Sequence, residues 1–456
     1  MVLAKATDHN YHEATKHSVV SVQIDPNYVD ASTQPQSFKT YPHFFRRFPL
    51  EPTHPTHQFL ALTSAITYQK HYREGTHLLR VQPSAGALYP TELYVQVRGI
   101  SGMLDGIYHL EPETNSLTLI YELIDDGIEA YFTDAGNDIR LVKGCILLVS
   151  CVYFRSSWKY RNRSLRYCFL DSGHHLGAIE ASAYASGYDY QLLFDVDWPA
   201  LNEDFGFETK EFFTAAMVVG EVKARATKKP VRRLRSPIPT VSGTDYFEPN
   251  RFIEVGYQAT LRAQASADSA VPLQPRLLQQ PTFPVQPAQW QEAIQQRRSA
   301  RRFYPTAISQ KSFLAVCDAL HQPLPGALKT LEIYAVLHRV DEQSSGLYRT
   351  IDDKTLHCLK TGEFHTQTGH LCINQAIARD CAAIFFITSA CHNYRVSLQQ
   401  AGVVGHRIYL AATALGLGCS GIGAFYDDEV QAFLGTDQPV LYAIAVGQTT
   451  RPDLIT

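Results

Sequence analysis

Six short segments of the chain are almost continuously apolar, and they fall into two sets of three. They span residues 92–98, 145–154 and 213–222, and then 331–340, 382–390 and 439–447. Uninterrupted apolar runs of this length are typical of strands in a sheet that is covered on both faces. The pattern also predicts a helical segment before each set, over 56–70 and over 288–320.

Two further segments alternate small and apolar residues at helical spacing. They are "GHHLGAIEASAYASG" at 173–187 and "GVVGHRIYLAATALG" at 402–416. Glycine and alanine at these positions let a helix approach its neighbours closely, and simple core packing is sufficient to explain most of them. Strands and helices in this mixture predict the α+β fold class.

The two sets belong to an internal repeat. At an offset of 240, Pro83, Gly86, Ala87, Leu88, Glu92 and Tyr94 align with Pro323, Gly326, Ala327, Leu328, Glu332 and Tyr334. At an offset of 229, Gly173, Ile179, Ala183, Ala185 and Gly187 align with Gly402, Ile408, Ala412, Ala414 and Gly416. Because the elements follow in the same order, we predict one unit over 1–223 and a second over 288–456.

Between the repeats, residues 224–287 differ in composition. "KARATKKPVRRLRSPIP" is basic, and "AVPLQPRLLQQPTFPVQPAQ" is rich in proline and glutamine. This composition predicts a linker. A nucleic-acid role for the basic run is the alternative, but no aromatic residues are interleaved with its charges.

Composition excludes several classes of protein. A net charge of −3 over 456 residues gives no general attraction to nucleic acid or to anionic membranes. No apolar run is long enough to span a bilayer, and the first residues lack the apolar core of a signal peptide. Nine cysteines without a CxxC pair favour a reducing, cytoplasmic compartment.

Two segments match or nearly match known binding motifs, but the positions of their residues in the predicted helices argue against dinucleotide or zinc binding. "GLGCSG" at 416–421 fits GxGxxG, but it follows a predicted helix, whereas a dinucleotide fingerprint follows a strand and opens a helix. In "HEATKH", His12 and His17 are five residues apart, which places them on different faces of a helix. We therefore expect no metal site.

Several motifs carry a resemblance to a known family. "PSAGALYPTELYV", "GIYHL" and "KYRNRSLRYCFLDSGHH" resemble the SagB-type dehydrogenases, the azoline-oxidising branch of the FMN-dependent nitroreductase superfamily. "RRSARRF" at 297–303, "ALGLGCSGIGAF" at 414–425 and "AVGQTTRP" at 445–452 resemble the general nitroreductase pattern. The resemblance spans both repeats.

Nitroreductases are dimers with FMN bound where two α+β subunits meet. The resemblance therefore implies two tandem nitroreductase-like units that form a pseudo-dimer within one chain. It implies FMN as cofactor and a small-molecule or peptide substrate. It also leaves open a place in a peptide-modification complex.

The resemblance also implies which residues bind FMN. A flavin phosphate needs charge-assisted donors, which Arg297, Arg298, Ser299 and Arg451 supply together with Gly421 and Gly423 of the glycine-containing loop. The turn formed by Pro83, Ser84 and Gly86 is expected to approach the isoalloxazine edge. A solvated helix face at 297–299 and a plain strand-entry turn at 83–86 are the alternatives.

The two copies are not equally equipped. Leu324 replaces Ser84 and Lys329 replaces Tyr89 in the second copy, whereas Leu192 and Phe194 of the first copy align with Gly421 and Gly423. Each copy lacks what the other keeps. We therefore expect one intact FMN site, built from the turn of the first copy and the phosphate-binding residues of the second.

Lys159 and Tyr160 are the predicted catalytic pair. Azoline oxidases of this branch carry such a pair near the flavin, where a desolvated lysine of lowered pKa removes a ring proton and a tyrosine relays it. The alternative is an exposed lysine in a basic loop at 155–166. The second copy has "ACHNYRVS" in this region, without a lysine–tyrosine pair.

The leading function is thus an FMN-dependent oxidoreductase that oxidises peptide azolines or a similar substrate. An NAD(P)H-dependent reductase of nitro or quinone compounds is the first alternative. A non-catalytic flavin-fold partner in a peptide-modification complex is the second.

Overall fold

The structure is a computed structural model of the chain. It describes residues 8–25, 29–72, 75–132, 140–194, 196–224, 231–235, 237–264, 283, 285–324, 331–350, 355–390 and 393–449.

The strands of the described residues, in chain order, are β1 (Arg47–Pro49), β2 (Ile66–Tyr72), β3 (Gly75–Arg80), β4 (Thr91–Arg98), β5 (Gly106–Glu111), β6 (Ser116–Glu122), β7 (Arg140–Val152), β8 (Tyr190–Leu193), β9 (Glu211–Ala224), β10 (Leu331–Leu337), β11 (Gly346–Thr350), β12 (Leu356–Thr361), β13 (Ala383–Ser389), β14 (Gly418–Ile422) and β15 (Val440–Gly447). Six of them, β4, β7, β9, β10, β13 and β15, lie at the six apolar segments and confirm that prediction.

The α-helices are α1 (Asp8–Ala14), α2 (Val19–Ile24), α3 (Pro55–Ser64), α4 (Phe154–Tyr160), α5 (Ser164–Ser186), α6 (Trp198–Asp204), α7 (Arg251–Gln264), α8 (Pro287–Gln296), α9 (Gln310–Leu320), α10 (His365–Leu371), α11 (Ala376–Asp380), α12 (Tyr394–Ala414) and α13 (Asp427–Leu434). The helices predicted from small residues at 173–187 and 402–416 are the C-terminal parts of α5 and α12, which end slightly earlier, at Ser186 and Ala414. No helix in the described part of the chain is both long and apolar enough to cross a membrane.

The predicted helix at 56–70 is too long. It ends at Ser64, and the chain continues as β2, which pairs with β3 in a two-stranded antiparallel sheet. The predicted helix at 288–320 is two helices, α8 and α9, with residues 297–309 between them. Pro305 lies in that break, and proline interrupts helices because it lacks an N–H and clashes with the preceding turn.

The chain forms two compact units. Unit 1 consists of Met1–Thr7, Val29–Pro281 and Leu324–Leu328, and unit 2 of Asp8–Tyr28, Thr282–Pro323 and Lys329–Thr456. The units differ from the predicted division at 1–223 and 288–456. Helix α1 belongs to unit 2, where His12 Nδ1 is 3.1 Å from Tyr394 Oη and the His17 N–H donates to Asp427 Oδ2 at 2.8 Å.

Unit 1 contains a seven-stranded antiparallel sheet in the order β1-β6-β5-β4-β7-β9-β8. Unit 2 contains a six-stranded antiparallel sheet in the order β12-β11-β10-β13-β15-β14. Leaving β1 aside, the two orders correspond strand for strand. The central strands of both sheets are buried over nearly their whole length.

Part of the predicted linker at 224–287 is ordered and packs on unit 1. Tyr257 of α7 stacks on Phe212 with ring centroids 3.9 Å apart, and its hydroxyl donates to the Phe213 carbonyl at 2.7 Å. In the basic run, Arg233 forms an ion pair with Asp197 at 2.5 Å. The amide of Arg232 donates to Asp126 Oδ2 at 2.7 Å. These contacts within unit 1 explain part of the positive charge.

Candidate functional site

The segment 83–89 of unit 1 is a tight turn that leads into β4. Ala85–Ala87 form one turn of 3-10 helix, in which Gly86 has φ +64°. Ala87 and Tyr89 also adopt left-handed backbone angles, with φ 54° and 46°. Non-glycine residues avoid this region unless surrounding contacts fix them there, so the turn is held in a conformation that it would not adopt alone.

Asp171 of α5 holds this turn. Ser84 Oγ donates to Asp171 Oδ2 at 2.6 Å, and the Ala85 N–H donates to Asp171 Oδ1 at 3.3 Å. The Tyr89 N–H in turn donates to Ser84 Oγ at 2.9 Å. Ser84 is therefore a structural link between the carboxyl group and the end of the turn, rather than a hydroxyl directed only at a ligand.

Burial raises the pKa of Asp171 to about 7, while the hydrogen bonds from Ser84 and Ala85 act in the opposite direction. Desolvation disfavours the charged form of a carboxyl group, whereas donors directed at its oxygens favour it. This carboxyl group therefore changes protonation near neutral pH.

The predicted catalytic pair lies at the same turn. A Cβ atom added to Gly86 would lie 2.8 Å from Tyr160 Oη and 3.4 Å from Lys159 Nζ. The Lys159 Nζ also lies 5.6 Å from the centroid of the Tyr160 ring. Only glycine leaves room here, so the turn and the pair, predicted from separate motifs, meet in unit 1.

Lys159 matches neither interpretation fully. Its side chain is exposed, whereas the predicted base is desolvated, and it lies in the last turn of helix α4, whereas the alternative places it in a loop. The described part of the chain therefore does not supply the desolvation that the sequence interpretation requires. Tyr160 is half-buried and packs on Tyr167, with ring centroids 4.3 Å apart.

A buried ion pair between Arg155 and Glu92 lies next to the turn and stabilises it. Arg155 donates to the Tyr89 carbonyl at 3.0 Å and forms an ion pair with Glu92 at 2.6 Å. The Arg80 N–H donates to Tyr89 Oη at 3.0 Å. These contacts fix both ends of Tyr89, which explains how this residue keeps its left-handed backbone.

In unit 2, Tyr409 of α12 brings several of the predicted phosphate-binding residues together. Its Oη accepts the Gly421 N–H at 2.7 Å and lies 3.0 Å from Ser299 Oγ. The Arg297 guanidinium lies 5.4 Å from the centroid of the Tyr409 ring. Burial raises the pKa of Tyr409, so the hydroxyl stays protonated.

The two arginines after α8 differ in environment. Arg297 is buried, with 3% of its surface exposed. Arg298 is half-buried, and its Nη1 donates to the carbonyls of Gln295 at 3.1 Å and Arg297 at 2.7 Å. Arg298 therefore caps the carbonyl end of α8. Phosphate binding by Arg297 and Arg298 stays a prediction.

The predicted glycine loop is partly a strand. Gly421 lies in β14 and pairs with Ile444 of β15, and Gly423 follows just after the strand. A Cβ atom at Gly421 would collide with the Tyr442 hydroxyl. The glycine thus accommodates Tyr442 and exposes its own N–H to Tyr409. Arg451 lies outside the described residues.

The donor sets fit a flavin. Gly86 is exposed and lacks a side chain, so a planar ligand can approach the turn closely, whereas Pro83 is buried. In unit 2, Arg297 and Ser299 supply the cation and hydroxyl that a phosphate group prefers. The described residues include no group of three histidine, cysteine or acidic side chains placed to hold a metal ion.

A cleft of about 480 Å³ borders the turn at Ala87. Its walls are the extended segment 34–38 and residues 76–78 of β3, and its polar side chains include Gln36, His77 and Glu113. A cavity of this size accommodates a small-molecule ligand.

Sequence analysis missed Asp171, Tyr409 and Tyr442. The repeat contained a usable signal for the first two. At the offset of 229, Asp171 aligns with Gln400, so the carboxyl group is absent in the copy that also lacks Ser84. Tyr409 likewise aligns with Glu180, in the copy that lacks Gly421.

Three comparisons with known proteins show what the chain is similar to. Residues 294–448 match the family model described as "Nitroreductase family". A protein of Methanocaldococcus jannaschii that is named as a nitroreductase is 33% identical over 131 residues, which cover 26% of this chain and 66% of that protein. The match thus spans slightly less than two thirds of that relative.

The crystal structure of a protein of Anabaena variabilis, also named as a nitroreductase, superposes with a TM-score of 0.76 at 23% identity. It covers 97% of this chain and 99% of the other, so the two proteins share their fold. Residues 294–448 thus match the nitroreductase family, and the chain shares its fold with the Anabaena variabilis protein.

Proposed function

We propose that the protein is an FMN-dependent oxidoreductase, and specifically a SagB-type dehydrogenase that oxidises azoline rings in a peptide or a similar small substrate. The observation that supports this most is the meeting of Lys159, Tyr160 and Gly86 in unit 1. A family match over 294–448 supports the flavin part independently, because that region lies outside the turn.

The residues that would hold FMN are those whose chemistry suits its two ends. Arg297, Ser299 and the strand around Gly421 would bind the phosphate, and the turn at Gly86 would face the ring system. The prediction that both sets serve a single FMN, within a pseudo-dimer of two tandem units, stays part of the proposal. FMN, when bound, supplies two-electron redox chemistry that protein side chains lack.

Lys159 and Tyr160 would handle the proton. Oxidation of an azoline removes two electrons and two hydrogens from the ring, one hydrogen as a proton and the other as a hydride. FMN, if bound, would supply the two-electron oxidant that this requires. Lys159 in its neutral form would take the proton, and the Tyr160 hydroxyl beside it would orient the substrate or relay the proton. The substrate itself would cover the exposed Lys159 and supply the missing desolvation.

The cleft beside Ala87 would admit the substrate. Its polar walls suit a peptide, whose amides need hydrogen-bond partners when they leave water. Membership of a peptide-modification complex is part of the same proposal, since azolines in peptides are made by a preceding cyclisation.

The first test is the visible spectrum and flavin content of the purified protein, followed by turnover of a synthetic peptide that carries one thiazoline. We expect bound FMN and conversion of thiazoline to thiazole. Lys159→Ala should keep FMN and lose turnover, whereas Lys223→Ala, which removes an exposed lysine of β9, should keep both.

Other outcomes separate the alternatives. Rapid bleaching of the flavin by NAD(P)H, with turnover of a nitro compound or quinone and not of the thiazoline, would favour a reductase. A colourless protein that takes up no FMN would favour a non-catalytic partner. Unchanged thiazoline turnover in Lys159→Ala would end the role of Lys159 as the base.

A further inference from the structure

The turn at 84–88 satisfies most of its own amides. The Ala87 N–H donates to the Ser84 carbonyl at 3.0 Å, and the Leu88 N–H donates to the Ala85 carbonyl at 3.4 Å. The Ala85 N–H donates to Asp171 at 3.3 Å. Of the four amides from Ala85 to Leu88, only that of Gly86 has no acceptor among the residues that the structure describes.

The Ser84 hydroxyl is engaged on both sides. It donates its hydrogen to Asp171 at 2.6 Å and accepts the Tyr89 N–H at 2.9 Å. A hydroxyl group has one hydrogen to donate. While this bond to Asp171 is made, Ser84 cannot donate to a ligand.

Gly86, in contrast, is exposed and lies beside the proposed catalytic pair. Its amide is therefore the donor that the turn offers to a ligand. The direction of that amide depends on the left-handed backbone conformations of Gly86 and Ala87. The hydrogen bonds of Asp171 with Ser84 and Ala85, which we call the clasp, help to fix these conformations.

We infer that Asp171 is a positioning residue: it clasps Ser84 and Ala85 so that the Gly86 N–H, and not the Ser84 hydroxyl, donates a hydrogen bond to the bound flavin. This inference rests on the proposed function for the identity of the ligand. The repeat supports the clasp as a unit, because the second copy replaces both of its side chains, with Leu324 and Gln400.

The test compares FMN affinity in the full-length protein, measured by quenching of flavin fluorescence. Asp171→Asn keeps the shape of the side chain but leaves one acceptor for two donors, so we expect about tenfold weaker binding. Ser84→Ala should weaken binding about equally. The double variant should be no weaker than either single variant, because both changes break the same clasp.

Glu180→Gln is the matched control. Glu180 is a buried carboxyl group on the same helix, and it accepts the Tyr190 hydroxyl at 2.6 Å. This variant should bind FMN within about twofold of the wild type. A merely structural role for Asp171 predicts instead that the two helix variants lose affinity in proportion to their loss of thermal stability.

Amide hydrogen exchange of the protein without FMN tests whether Asp171 and Ser84 hold the turn. Amides 85–89 should exchange about tenfold faster in Asp171→Asn and Ser84→Ala than in the wild type, and at the wild-type rate in Glu180→Gln. Unchanged exchange in both clasp variants would overturn the clasp.

The FMN affinities of the wild type and the variants test whether the clasp positions the Gly86 N–H for the flavin. If the wild type binds FMN and both single variants bind it equally well, or if the double variant is weaker by the product of the two effects, the inference is wrong while the proposed function stands. If the wild type binds no FMN, the proposed function fails and the role of Gly86 toward the flavin fails with it.

Discussion

The two units share six strands in the same order. The side chains that we predict to act at a site, however, differ between the two units. Unit 1 fixes a turn with Ser84 and Asp171, and the aligned positions of the second sequence copy are Leu324 and Gln400. A common strand order therefore does not preserve a site. The two units share the strand order of their sheets, whereas the side chains at the predicted site residues differ between them.

Unit 2, in turn, carries polar contacts that unit 1 lacks, near the C-terminal end of α12. In unit 2, Tyr409 contacts Ser299 and Gly421, and Tyr442 packs on Gly421. The positions of unit 1 that align with Tyr409, Gly421 and Tyr442 are Glu180, Leu192 and Ala215. A buried carboxyl group such as Glu180 is unfavourable beside a phosphate, since like charges repel. Unit 1 is thus unsuited to bind phosphate at the position where unit 2 carries donors.

The pH dependence of stability should differ between Asp171 and Gln400. The folded-state pKa of Asp171, about 7, is raised above its ordinary value of 3.8, so its contribution to stability is fully present below pH 3.8 and is lost as pH rises through 7. The difference corresponds to about 4 kcal/mol. Between pH 4 and 7, the wild type should therefore lose stability relative to Asp171→Asn, as measured by urea unfolding. Gln400→Leu, which removes a group that does not titrate, should differ from the wild type by the same amount at every pH.

Arg297→Ala should lower FMN affinity about hundredfold, because it removes the buried cation beside Ser299. Arg379→Ala removes an exposed arginine of unit 2 that pairs with Asp380, and it should leave affinity unchanged. Fluorescence titration with FMN measures both. Equal affinity in the wild type and Arg297→Ala would remove unit 2 from the cofactor site.

Gly421→Ala should destabilise the protein by about 2 kcal/mol, because the new methyl group collides with the Tyr442 hydroxyl. Tyr442→Phe removes that hydroxyl, but the ring atom Cζ would still lie 2.6 Å from the added Cβ. The double variant should therefore recover part of the loss in a urea unfolding experiment. A double variant that is less stable than Gly421→Ala would contradict this packing.

Three glycine-to-alanine substitutions distinguish the cost in stability of backbone strain from the cost of a steric contact. Gly187 and its aligned partner Gly416 both have φ +72° and no atom within 4 Å of an added Cβ, so Gly187→Ala and Gly416→Ala should each cost about 1 kcal/mol. Gly86→Ala has a similar φ and also approaches the Tyr160 hydroxyl. Its cost should exceed the other two, and combination with Tyr160→Phe should return it to their level. Equal costs for all three would mean that Tyr160 does not restrict the turn.

The sequence predicts the buried strands well because an apolar run carries its own signal. It also predicts that the turn and the Lys159–Tyr160 pair matter, although from separate motifs. The contact between them, at Gly86, depends on how α4 packs against the turn, and no local pattern encodes that packing.

Other features depend on long-range partners in the same way. Asp171 and Tyr409 each lie in a helix that carries several other buried polar residues, so the sequence does not distinguish them until their partners are known. The N-terminal helix α1 joins unit 2 through the contact of His12 with Tyr394, nearly four hundred positions away. The break between α8 and α9 was predictable from Pro305, but the apolar pattern on either side masked it.

The central proposal is that the chain binds a single FMN. The most direct test is the number of FMN molecules bound per chain, from the flavin absorbance and the protein concentration of the saturated, desalted protein. The account predicts one FMN per chain, lost on Arg297→Ala. Two FMN per chain, or none, would contradict it.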